Sequence, residues 1–299
     1  MSINTNIRKE SILIEKNLLI KRAILYLSFF CIFILISWVF LYNLPNRFLF
    51  FSFFPLLASL LTRIVTKDKS PLMIKPKFRE NWRTYLKVAF TPGILIFASA
   101  VLFFLIFPNY LDLSTEKLIE TYGPFGFPSN LPHTLQSIFV IGIVGILISP
   151  FILPVIIFAF GEEIGWRGYF LPLLMKLMKK EKAIFLSSTL WGLGHAPLIY
   201  FGFNYGSDYW LSPYSGILMM TVLCIVLGIW LSYVTIKSKS VIPASILHGS
   251  VNVIGEWPAL VAIPGISTLL GPNLTGMIGM IGFVIVAIFL LKKLSVSAN

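Results

Sequence analysis

Three short polar groupings interrupt an apolar chain. They are the adjacent carboxylates Glu162 and Glu163 with Arg167 four positions on, a lone His195 in the stretch WGLGH, and His248 with Asn252 in HGSVN. Polar side chains at membrane depth are costly, and by default they mark function. His248 and Asn252 stand at i and i+4 and share one helical face, as do Glu163 and Arg167. Two neighbouring carboxylates repel each other, so Arg167 is expected to compensate Glu163. Glu162, turned about 100° away on the same helix, is then free for chemistry.

The chemistry this set supports is hydrolysis. A carboxylate whose pKa is raised by burial takes a proton from water near neutral pH, and a neutral histidine holds that water. A second histidine and an asparagine amide donate hydrogen bonds to a tetrahedral oxyanion, a role worth about 3–4 kcal/mol per donor. Glu162 with His195 is expected to form the first half of such a site, and His248 with Asn252 the second. A rival arrangement has Glu162, His195 and His248 as three Zn²⁺ ligands around an open fourth position. The HExxH pair of zinc proteases is absent from the sequence, and the expectation is a site that requires no cofactor. Other hydrolytic constellations are poorly supplied. Ser215-Gly216 lacks the preceding Gly-x of a nucleophile elbow, and Asp68, Asp112 and Asp208 all fall in loops. Cys31 and Cys224 have neither disulfide nor metal spacing. His133, beside Pro132, is expected on an outer loop, and Glu256, one turn beyond Asn252, is expected to be structural.

The elements that position these residues follow from hydropathy. The chain of 299 residues is 57% hydrophobic and 12% charged, with a mean hydropathy of +0.87, against about 25% charged in soluble domains. An all-α membrane protein is implied, a bundle of about eight transmembrane helices of about 20 residues each. The runs lie at about 23–42, 47–65, 86–107, 135–160, 183–201, 213–235, 241–258 and 274–291. The first lacks a small-residue cleavage site and reads as a crossing rather than a cleavable signal. With the N-terminus inside, all of the 24 Lys and Arg residues except Arg47 and Lys117 fall on the cytoplasmic side, as the resistance of positive loops to translocation demands. Both termini are therefore expected in the cytoplasm. The net charge of +12 reflects topology and contact with the lipid bilayer, not nucleic-acid binding. The expected organisation is a cytoplasmic segment 1–22, a membrane domain 23–293 and a tail 294–299. Segment 168–182, basic among Leu and Met, is expected to lie as a helix along the cytoplasmic interface.

The order EExxxR, then a helix carrying a histidine, then HxxxN resembles the CPBP family. That family contains the CAAX prenyl proteases and bacterial proteins linked to bacteriocin processing and self-immunity. The resemblance covers about residues 135–260, the motif-bearing core. It implies a membrane-embedded endopeptidase with Glu162, His195, His248 and Asn252 as catalytic residues; the topology above puts them in the cytoplasmic half or the middle of the bundle, and the peptide is expected to arrive from the cytoplasmic side. Glu163, Arg167 and Trp191 would support them. Trp191 stands where the family usually has Phe, four residues before the middle histidine. The implied substrate is a peptide or a lipid-anchored membrane protein, and metal dependence is an open point of the resemblance. The alternative is a non-catalytic member acting as a membrane scaffold or bacteriocin self-immunity factor. A proton-coupled transporter would show two related halves, which the sequence lacks.

Overall fold

A computed structural model of the chain describes residues 2–40, 48–114, 116–122 and 134–296. His133 and Arg47 lie outside the described residues. Every regular element among the described residues is helical, with one isolated bridge between Leu111 and Ala262. The apolar runs leave no alternative, since backbone groups in hydrocarbon must be satisfied within their own segment. In chain order the helices are α1 (Ser2–Phe40), α2 (Phe48–Phe51), α3 (Phe54–Thr66), α4 (Phe78–Ile106), α5 (Glu116–Tyr122), α6 (Leu135–Ile148) and α7 (Leu153–Glu163). A π-helical segment, Ile164–Phe170, leads into α8 (Leu171–Leu177). It is followed by α9 (Lys180–Gly194), α10 (Ala196–Tyr200), α11 (Tyr214–Ser238), α12 (Ile242–Ile254) and α13 (Ile281–Val296).

Among the described residues, three helices are long and apolar enough to cross a membrane, within Ile12–Ser37, Phe78–Ile106 and Tyr214–Ser238. A fourth span results if Ser137–Phe151 and Leu153–Leu177, bent by 56°, count as one. The bend falls where Pro150 and Pro154 remove backbone donors. The remaining helices are short. α12 has 13 residues, about 20 Å at 1.5 Å per residue, less than the hydrocarbon thickness of about 30 Å. It compensates by being enclosed: it packs against α4, α7 and α11, and Leu247, His248, Ser250 and Val251 are all buried. A polar helix surrounded by protein escapes the cost of facing lipid. α9 and α11 pack closely because of Gly192, where a Cβ would fall 2.6 Å from the Cα of Thr221.

Three details differ from the sequence expectations. Segment 168–182 is not a separate interfacial helix. Its first part continues α7 through the π segment into α8, and Leu171, Leu173 and Leu174 are buried where α8 meets α1 and α9. The fifth apolar run is broken at His195, between α9 and α10, because Pro197 cannot continue the hydrogen-bond ladder. The last helix begins at Ile281, the residues from 274 forming turns instead.

Candidate active site

The polar cluster is assembled where α7 gives way to the π segment. Ile164 to Phe170 are all buried. Gly165 is required here by a close approach, since a Cβ would lie 2.3 Å from the carbonyl carbon of Pro55, on α3. π-Helical turns concentrate at functional sites, and this one directly follows Glu162 and Glu163. Arg167, inside it, reaches back to Glu163: Nη1 donates to Oε1 at 3.1 Å, with the two side chains 1% and 0% exposed. The same Glu163 oxygen accepts from His248 Nδ1 at 2.9 Å. One carboxylate thus ties α7, the π segment and α12 together.

Trp191 is the second hub. Its indole Nε1–H donates to Glu162 Oε2 at 2.8 Å. The Arg167 guanidinium lies 4.2 Å from the centre of its ring, and both histidine rings stand edge-on to it, His195 at 5.7 Å and His248 at 5.3 Å. The Trp191 backbone carbonyl also receives His195 Nδ1 at 2.9 Å.

These contacts fix the tautomers. A backbone carbonyl only accepts, so His195 carries its proton on Nδ1 and presents an Nε2 lone pair. His248 likewise donates from Nδ1 to the Glu163 carboxylate. Its Nε2 accepts in the neutral ring and donates only when the ring is an imidazolium.

Glu162, Trp191, His195, His248 and Asn252 line one cavity of about 430 Å³. Glu163 and Arg167 sit behind its wall, buried. The structure therefore brings together all seven residues singled out in the sequence, with Glu163 facing inward as a strut and Glu162 facing the cavity. Asn252 stands one turn beyond His248 on α12 and is exposed to the open part of the cavity. Two features carried no sequence signal: the Glu163–His248 contact and the hydrogen bond from Trp191 to Glu162. Glu256 also lines the cavity, held by Asn204 Nδ2 at 3.3 Å and by Asn273. Among the described residues no three His, Cys, Asp or Glu side chains gather as a metal-ligating group. Each histidine directs its Nδ1 to a protein acceptor, the Trp191 carbonyl for His195 and the Glu163 carboxylate for His248.

Comparison with known proteins finds similarity over the region that holds this cluster. The family described as "Type II CAAX prenyl endopeptidase Rce1-like" matches residues 144–254, which include every residue of the cluster. A curated relative, CAAX prenyl protease 2 of Methanococcus maripaludis, is 27% identical over 198 residues, 63% of this chain and 67% of the relative. The three polar groupings all lie inside the matched region, so the core of this chain is similar to the Rce1-like CAAX prenyl endopeptidases.

Proposed function

We propose that the chain is a membrane endopeptidase in which Glu162 and His195 activate a water and Asn252 and His248 stabilise the oxyanion. The observation that carries this reading is the division of labour between the two glutamates. Glu163 is consumed by Arg167 and His248 behind the wall, whereas Glu162 lines the cavity with one oxygen held by Trp191.

A water between the free Glu162 oxygen and the His195 Nε2 lone pair donates both of its hydrogens. Its own lone pair is then directed outward, at a substrate carbonyl carbon. Glu162 takes one proton as the new C–O bond forms, and the carbonyl π electrons move onto oxygen. That oxyanion accepts from the Asn252 amide and, when His248 is doubly protonated, from its Nε2–H. Collapse of the intermediate breaks the C–N bond, and the proton held by Glu162 passes to the leaving amine. No step requires a metal. The substrate class is a peptide or a membrane-anchored protein segment, the class named for the curated relative being CAAX proteins.

The test is Glu162→Gln in purified full-length protein, assayed with a quenched peptide. It should abolish turnover while folded yield and peptide binding stay near those of the native protein. Near-native turnover in Glu162→Gln, with loss in Glu163→Gln, would reverse the assignment within the pair. Loss of the cellular phenotype in neither variant would favour the scaffold reading.

A further inference from the structure

Glu256 lines the same cavity as the polar cluster and takes no part in the mechanism above. α12 ends at Ile254, but Gly255 and Glu256 keep helical backbone angles, φ −61° with ψ −32° and φ −94° with ψ −5°. His248, Asn252 and Glu256 therefore follow one another at intervals of four residues, about 6 Å per interval along the axis, and all three line the cavity. Two neighbouring turns close on Glu256. Asn204 Nδ2 donates to its Oε1 at 3.3 Å and Asn273 Nδ2 to its Oε2, while the Leu274 N–H donates to the Gly255 carbonyl at 3.2 Å.

These partners hold the carboxylate in place but leave its charge uncompensated. Both donors are neutral amides, and no Lys, Arg or His among the described residues pairs with Glu256. Among the described residues that line the cavity there is no Lys or Arg, whereas Glu162 and Glu256 both line it. The whole chain, by contrast, holds 24 basic residues against 12 acidic. A carboxylate in a largely apolar enclosure is costly without a partner of opposite sign. Hydrogen-bond acceptors are also in surplus here. Thr275, 5% exposed, lines the cavity, and its hydroxyl has no partner among the described residues. The Oδ1 of Asn273, on the same turn, has none either. A neutral ligand would satisfy those acceptors but not the charge. An ammonium or guanidinium, which only donates, answers both.

We propose that Glu256, with Thr275 and Asn273 beside it, forms a cation subsite of the cavity that takes a Lys or Arg side chain of the substrate. Glu256 follows the proposed oxyanion donors Asn252 and His248 by about 6 and 12 Å along the helix axis. An extended peptide advances about 3.3 Å per residue, so the basic residue lies within about four residues of the scissile bond. The inference rests on the hydrolytic reading above for the words substrate and scissile bond. The subsite itself stands on the uncompensated carboxylate and the unpartnered acceptors. Glu256 does tie two turns to the end of α12, as a structural residue would, but a glutamine would serve that purpose without bringing a charge.

The test is binding, which does not depend on turnover. Full-length protein in mixed micelles is titrated with three fluorescent decapeptides of otherwise identical apolar sequence. One is N-acetylated with a single central lysine, one is N-acetylated with norleucine in its place, and one has norleucine and a free N-terminus. The lysine peptide should bind at least fivefold more tightly than the acetylated norleucine peptide. Glu256→Gln should abolish that difference, and Glu256→Asp should retain it. Asn204→Lys leaves Glu256 in place and supplies a competing ammonium; it should abolish the difference too, and it serves if Glu256→Gln fails to fold. Equal binding of the two acetylated peptides, no binding of the lysine peptide, or a preference that survives Glu256→Gln would overturn the proposal. Tightest binding of the free-amine peptide would overturn the side-chain assignment and give the subsite to a peptide N-terminus. If the preference comes out as expected while Glu162→Gln retains turnover, the subsite stands and the hydrolytic reading falls. If it fails while Glu162→Gln abolishes turnover, the hydrolytic reading stands and the subsite falls.

Discussion

Arg167→Met tests the buried strut directly. The substitution retains an unbranched apolar stem but removes the guanidinium paired with Glu163, leaving among the described residues a 0%-exposed carboxylate with His248 as its remaining partner. Because neither member of the pair reaches solvent, screening does not reduce the effect. Breaking a buried pair by removing one member costs about 3–5 kcal/mol, since the remaining charge is uncompensated. The lost contact between the guanidinium and the Trp191 ring adds about 0.5–2 kcal/mol. The double variant Glu163→Gln/Arg167→Met should recover most of the loss. It holds no unpaired charge, and the amide oxygen that replaces the carboxylate can still accept from His248 Nδ1. The assay is equilibrium unfolding of the four proteins of the cycle in mixed micelles, with folded yield measured in parallel. A stability change below about 1 kcal/mol for Arg167→Met would refute the reasoning. So would a double variant no more stable than the single, because the charge argument predicts a large coupling between neighbours in contact.

Gly165→Ala should lower folded yield sharply and cost about 1–3 kcal/mol, because the new methyl would meet the backbone of Pro55; a native-like melting temperature would count against the close contact between α3 and the π segment. Asp68, between α3 and α4, is pushed up by burial. The Ser70 N–H at 2.9 Å and Arg22 at 3.4 Å outweigh that, so its carboxyl lies below its ordinary value. A depressed folded-state pKa stabilises fully above the unfolded value of about 3.9 and loses that contribution as pH falls through the folded pKa. Melting curves should therefore drop below about pH 4 in the native protein and drop less in Asp68→Asn. Turnover should survive prolonged chelation, and the purified protein should hold substoichiometric zinc; one zinc per chain lost together with activity would replace water activation by Glu162 and His195 with metal chemistry.

Much of the site was legible because helical periodicity is a local property. Positions i and i+4 share a face whatever surrounds them, so the Glu163–Arg167 pair and the opposite outlook of Glu162 follow from spacing alone. Composition and basic-residue alternation likewise give an all-helical membrane chain. The contacts between helices were not legible. His248 is 85 residues from Glu163, and Trp191 is 29 from Glu162; nothing in either local pattern says which faces will meet. The sequence placed Trp191 only as a supporting aromatic where Phe is usual; its N–H, which Phe would lack, holds the carboxylate proposed for chemistry.

What the sequence determined by itself was the all-helical membrane class and the residues available for chemistry. Each depends on the chain's own hydropathy, charge or 3.6-residue period. The tertiary structure decided which carboxylate is a strut, which nitrogen of each histidine is held by the protein, and which side chains share the cavity. Those outcomes depend on the close approaches at Gly165 and Gly192 and on the aromatic contacts between α1 and the π segment. They are properties of packed surfaces, and packed surfaces exist only once distant segments have met.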